Sequence, residues 1–198
     1  MKPLLLILAA FAVSAQTGFD AGKDGPQYAA DGQLTLPKDY RQWTFLSSGL
    51  GMTYGPAASA DPNNPLFDNV FVNPSSYRAF IETGRWPDKT MFILEIRSAS
   101  GQGSINNAGH YQDQLRAIEA EVKDEKRFPQ KWAYFAFGGK DTATSLPADS
   151  TCNTCHSRNA AVENTFVQFY PVLLEIAKAK GTLNSSFEKP VAPAPVGR

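Results

Sequence analysis

Four stretches of the chain carry a hydrophobic pattern regular enough to predict an element. In Met91 to Arg97, Phe92, Leu94 and Ile96 fall on one face and Met91, Ile93 and Glu95 on the other. That pattern predicts a strand with apolar side chains on both faces, so the strand lies inside the fold or against a cofactor. Trp132 to Phe137 is aromatic and reads as a strand. Asn73 and Pro74 signal a helix start and Gly84 a stop, which predicts a helix over 74–83. Pro171 and Gly181 bracket a last helix to about Lys180 in the same way. Shorter strands are expected at Trp43 to Leu46 and at Val70-Phe71-Val72, separated by a Gly-, Pro- and Asn-rich loop over 49–65. In 115–123 two periods compete. Leu115, Ile118 and Val122 suit a helix, whereas Ile118, Ala120 and Val122 alternating with Glu119, Glu121 and Lys123 suit a strand.

The ends read differently. Lys2 followed by the apolar run Leu4 to Val13 and the small residues Val13-Ser14-Ala15 is the pattern of a secretory signal, too short to span a bilayer. The expected organisation is therefore a signal peptide at 1–15, a flexible polar segment at 16–30, one folded domain at 31–183 and a disordered Pro/Ala-rich tail at 184–198. Export to the periplasm follows from the signal, with no membrane span. Lys+Arg and Asp+Glu both number 19, so no global field favours nucleic acid or a membrane surface.

The chemistry is concentrated in Cys152-Asn153-Thr154-Cys155-His156, which holds both cysteines of the chain. This is the C-x-x-C-H pattern of c-type haem attachment: each cysteine forms a thioether with a haem vinyl group, and the histidine supplies the proximal iron ligand. Two alternatives weigh against it. A redox or structural disulfide usually sits where a strand opens a helix in a βαβ setting, and no such setting is visible upstream. A zinc site lacks a second cysteine pair or a neighbouring histidine. One haem c, bound through Cys152 and Cys155 with His156 on the iron, is the expected cofactor.

The run 152–171 resembles the haem segment of the cytochrome P-460 family. So do Leu36 to Trp43, Phe71 to Tyr77, Thr83 to Asp88, and Val122-Lys123-Asp124 with Arg127-Phe128 and Trp132 to Phe135, in the family's order. The resemblance covers roughly residues 31–180. It implies an α+β fold, mainly antiparallel sheet with a few helices, a single c-type haem held on one face of the sheet, and a homodimer. It also resolves 115–123 as a strand.

The family has two branches. Cytochromes P-460 proper cross-link a strand lysine to the haem edge and oxidise hydroxylamine. The cytochrome c′-beta branch lacks the cross-link and is associated with binding nitric oxide and other gases. The resemblance places the lysine's position at Leu94, which has no nucleophile. An arginine that is distal in the hydroxylamine enzymes falls at Asp68, or at Phe67 if the preceding loop shifts the register by one. Phe67, Val70, Phe71, Phe92 and Leu94 are then the expected apolar wall beside the haem, with Asp68 among them.

For the sixth iron position, His110 reads as a solvated loop histidine, Met52 as a loop residue and Met91 as a strand residue on the face opposite Leu94, so an open site is expected. Two functions follow. One is a periplasmic mono-haem cytochrome binding a small gas, nitric oxide or carbon monoxide, with one-electron transfer to a redox partner that the sequence does not identify. The other is an oxidoreductase acting on hydroxylamine, for which Asp68, Glu95 and Asp149 are the acid–base candidates. A plain electron carrier with two axial ligands is the third.

Overall fold

The computed structural model describes residues 23–54 and 64–187. Its frame is a five-stranded antiparallel sheet of β3 (Thr44–Leu50), β4 (Leu66–Val72), β5 (Met91–Ser100), β6 (Tyr111–Lys123) and β7 (Trp132–Ala136), neighbours in space in chain order. A small second sheet joins β1 (Gln27–Tyr28), β2 (Leu34–Thr35) and β8 (Thr142–Ala143). Three helices complete it: α1 (Pro74–Thr83), α2 (Thr151–Asn159) and α3 (Pro171–Lys180). The class is α+β, as expected. Among the described residues no helix is long and apolar enough to cross a membrane.

Each face of the large sheet buries its own core. On one face Met91, Ile93, Ala120, Val122 and Phe135 pack with Leu34, Tyr40, Trp43 and Ala143, so the small sheet is the lid. On the other face Val72, Phe92 and Trp132 pack with Phe80 of α1, with Trp86, and with Tyr170, Leu173 and Ala177 around α3. Strand β5 serves both cores because successive side chains point to opposite faces. Met91, Phe92 and Ile93 are all buried, each contributing about 1.5–3 kcal/mol of hydrophobic stabilisation.

Both predicted helices form over the expected residues, and their stops have a visible cause. Gly84 and Gly181 adopt left-handed φ values of 71° and 63°, which glycine reaches without strain. Asn73 does occupy the N-cap position of α1, but the capping bond comes from elsewhere. Asp24 accepts from the Ser75 amide at 2.8 Å, while Asn73 accepts from the Met91 amide at 2.9 Å and so ties α1 to β5.

Several boundaries move. Residues 115–123 belong to a 13-residue strand. Strand β3 runs into the stretch that reads as loop and β4 starts at Leu66, ahead of the expected Val70, because their polar positions interrupt the apolar pattern. Asp24 and the paired strand β1 lie within the stretch expected to be flexible. Asn184 and Phe187 likewise make contacts, Asn184 bonding Ala160, Ala161 and Glu163 and Phe187 packing on the helical core. The signal reading at 1–15, and the tail from residue 188, lie outside the described residues.

Gly84 gives a direct test of this packing. A Cβ there would sit 2.8 Å from Lys180 Cβ and 2.9 Å from Thr182 Oγ1, on a positive-φ backbone. Gly84→Ala is expected to destabilise by about 2 kcal/mol, the left-handed cost plus displacement of the α3 terminus. Thermal denaturation reads it; an unchanged midpoint refutes the assigned packing of α1 on α3.

Candidate functional site

The C-x-x-C-H motif forms helix α2, started by Ser150, whose side chain accepts from the Asn153 amide. At helical spacing Cys152, Cys155 and His156 stand three and four positions apart and therefore share a face. All three line a cavity of about 590 Å³ between α2 and the large sheet. That volume lies in the roughly 300–1,000 Å³ range of ligand and cofactor sites.

His156 is held from behind. Its Nδ1 lies 2.7 Å from the carbonyl oxygen of Asn164 and 3.3 Å from Glu121 Oε1. A ring nitrogen facing two acceptors carries the proton, so Nε2 keeps the lone pair that a metal needs. The imidazole is packed between Tyr134 and Phe166, with ring centroids 4.5 and 4.2 Å away. Burial pushes its pKa down, but the Glu121 carboxylate and the Asn164 carbonyl outweigh that and hold it above the ordinary value.

The loop that presents the Asn164 carbonyl is itself pinned. Asn184 donates to the carbonyls of Ala160 and Glu163. Thr165 Oγ1 donates to Val162 and accepts from the Trp86 indole at 2.8 Å. Two thiols and an oriented imidazole on one helix face, opening on one cavity, fit a covalently attached haem.

The opposite wall is the sheet. One row of cross-strand partners reads Ser47, Val70, Leu94 and Glu119, and the next joins Phe92, Glu121 and Tyr134. These residues line the cavity, with Asp68, Met52 and Tyr54 at the β3–β4 side and Asp149 and Leu146 near α2. Burial pushes the carboxyl pKa of Glu119 up, opposed by His156. Asp68 is raised by burial first and by Glu119 second. Burial and the neighbouring Asp68 push the Tyr54 hydroxyl up to about 12.

The structure brings Cys152, Cys155, His156, Leu94, Phe92, Val70 and Asp68 to this cavity. It does not bring Phe67 or Phe71. On β4 the even positions 68 and 70 face the cavity. Phe71 is on the other side, edge-on to Tyr40 at 5.7 Å and to Phe45 at 5.6 Å, and Phe67 shares that side by alternation. Asp68, not Phe67, is therefore the β4 residue at that end of the wall. Glu95 is also on the far face, buried and ion-paired rather than solvated. His110 is exposed in the β5–β6 hairpin, and Met91 is in the far core.

Sequence reasoning missed Glu119, Glu121, Tyr134 and Tyr54, and set aside Met52 as a loop residue although it lines the cavity. The alternation of 119 and 121 against Ile118, Ala120 and Val122 was the available signal, but only the register with β5 puts Glu119 opposite Leu94 and Glu121 opposite Phe92.

A family model described as Cytochrome P460 matches residues 37–167, a span holding the whole large sheet and α2. No curated protein matches the chain.

Proposed function

We propose, from the premise that this chain belongs to the cytochrome P460 family, that it holds one haem c and binds a small gas such as nitric oxide at an open iron site. Membership makes it a haem-binding cytochrome. The finer reading assigns Cys152 and Cys155 to the thioethers and His156 to the iron. The haem supplies an iron that takes a small ligand and exchanges one electron. The protein's own residues orient it: the Asn164 carbonyl holds the His156 ring, and Phe92, Val70 and Leu94 give the facing wall an apolar centre.

The observation that carries the gas-binding branch is Leu94 in the middle of that wall, with no lysine among the described residues that line the cavity. Lys123, the nearest lysine along β6, is occupied by the Trp86 carbonyl and Glu163. An alkyl side chain has no lone pair with which to attack a haem edge. The expected results are carbon monoxide and nitric oxide binding by the ferrous protein, and little catalytic electron flow from hydroxylamine to an added acceptor. Sustained hydroxylamine oxidation, or a mass showing a lysine–haem bond, overturns the reading. Leu94→Lys is expected to permit that bond, since position 94 sits on the cavity wall.

One observation favours the hydroxylamine-oxidising alternative. Asp68 and Glu119 both line the cavity, with carboxyl pKa values raised by burial, and a carboxyl group beside the iron is the kind of acid or base that proton movement needs. The same hydroxylamine assay decides between the two. Export through residues 1–15 and a homodimer belong to the proposal as well. The intact mass of protein from its native host reports the first, and light scattering reports the second.

A further inference from the structure

We propose that Glu121 is a positioning residue that makes His156 a stronger electron donor and thereby lowers the reduction potential of the haem iron, with Tyr134 moderating the effect. The inference rests on the haem assignment above and adds to it a residue that tunes the metal.

The geometry points this way for three reasons. First, the His156 Nδ1 proton already has a short acceptor in the Asn164 carbonyl at 2.7 Å, which by itself fixes the tautomer. The carboxylate at 3.3 Å is a second acceptor for one proton, and it adds negative charge rather than orientation. Second, Glu121 is buried, and among the described residues no Lys or Arg forms an ion pair with it. Its neighbours from the adjoining elements are Phe92, Tyr134 and Tyr170, together with Cys152 of α2, and none of them is a cation. Third, the oxygen that faces His156 also accepts from the Tyr134 hydroxyl at 3.0 Å. That donor withdraws part of the carboxylate's charge.

A carboxylate behind a ligating imidazole raises the basicity of the ligand. In a site of low dielectric its charge favours the more positive state of the iron. Ferric iron is thus stabilised over ferrous. The two variants should then act with opposite sign. Glu121→Gln keeps an acceptor for Tyr134 but removes the charge. Tyr134→Phe keeps the ring against His156 and frees the carboxylate.

A spectroelectrochemical titration of the purified holoprotein and both variants is the test, with the iron–histidine stretch of the ferrous form read by resonance Raman. Glu121→Gln is expected to shift the equilibrium toward the reduced form by at least tenfold, about 59 mV more positive for one electron, and to lower the stretching frequency. Tyr134→Phe is expected to shift the potential the other way. If Glu121 only anchors the Tyr134 hydroxyl, the Gln variant leaves the potential in place, and that result overturns the inference, as do shifts of the same sign in both variants. Should Glu121→Gln fail to fold, Tyr134→Phe decides alone: a lower potential supports the inference and an unchanged or higher one overturns it. A chain carrying no covalent haem overturns the haem assignment and this inference together, whereas an unmoved potential in a haem-loaded variant overturns this inference alone.

Discussion

Replacing Cys152 and Cys155 together with serine is expected to abolish covalent haem retention completely. The unaltered chain should carry haem through a denaturing gel and through acid–acetone extraction; the double variant should not. A thioether needs a sulfur on each vinyl, and both sulfurs line the same cavity as His156. Each single variant should keep one bond and retain haem in part. His156→Ala separates attachment from ligation: haem stays on the chain, but the native spectrum is lost, because no other described side chain of α2 offers a ring nitrogen to the cavity. The double variant should also melt earlier, since a cofactor that binds only the folded state stabilises it. Haem that stays with the Cys152→Ser/Cys155→Ser chain after extraction would show the assignment to be wrong.

The second large effect lies across the sheet from the cavity. Glu95 is 3% exposed and accepts from the Tyr40 hydroxyl, from Arg97 Nε at 2.5 Å and from Arg41 Nη2 at 2.6 Å. Burial pushes its carboxyl pKa up, but Tyr40, Arg97 and Arg41 together outweigh burial and hold it below the ordinary value. Glu95→Gln removes the negative charge that two guanidinium groups share and turns one of their two acceptor oxygens into a donor. Breaking a buried pair costs about 3–5 kcal/mol, but Arg41 is half exposed and can turn to water. The expected loss is therefore about 3 kcal/mol, or roughly 6–12 °C in Tm for a chain of this size.

The pH dependence has a definite sign. A carboxyl whose folded pKa is depressed contributes fully above its unfolded value of about 4.3. The contribution disappears as pH falls through the lower folded value. The gap between the unaltered protein and Glu95→Gln should be constant near neutrality and should narrow below about pH 4. Equal stabilities at pH 7, or a gap that widens in acid, would contradict this account of Glu95.

Glu95 also shows where reading the chain stops working. A glutamate in an otherwise apolar strand looks like a residue that escapes to solvent. Its partners Tyr40 and Arg41 lie more than fifty positions upstream, on a short 3-10 turn, and only the fold brings them under β5. The same limit explains Phe67 and Phe71. They are close in sequence to Val70, yet a strand sends neighbours to opposite faces, and which face holds the cavity is set by what packs there. Glu119 and Glu121 were legible as one face of a strand, but that this face meets the cavity follows from register with β5, which is a long-range property.

What the sequence determined by itself is what local geometry or covalent chemistry controls. The C-x-x-C-H spacing names Cys152, Cys155 and His156 as one set, although the helix α2 that puts them on one face came from the structure. Proline and glycine set the ends of α1 and α3 through their own φ preferences. Leu94 lacks a nucleophile in any fold. Only the tertiary structure decided which side chains share the cavity, that Asn164 and Glu121 stand behind His156, and that Glu95 is buried with two arginines. These depend on strand phase, register and burial, which arise from contacts between residues far apart in the chain and leave no periodic mark on either partner alone.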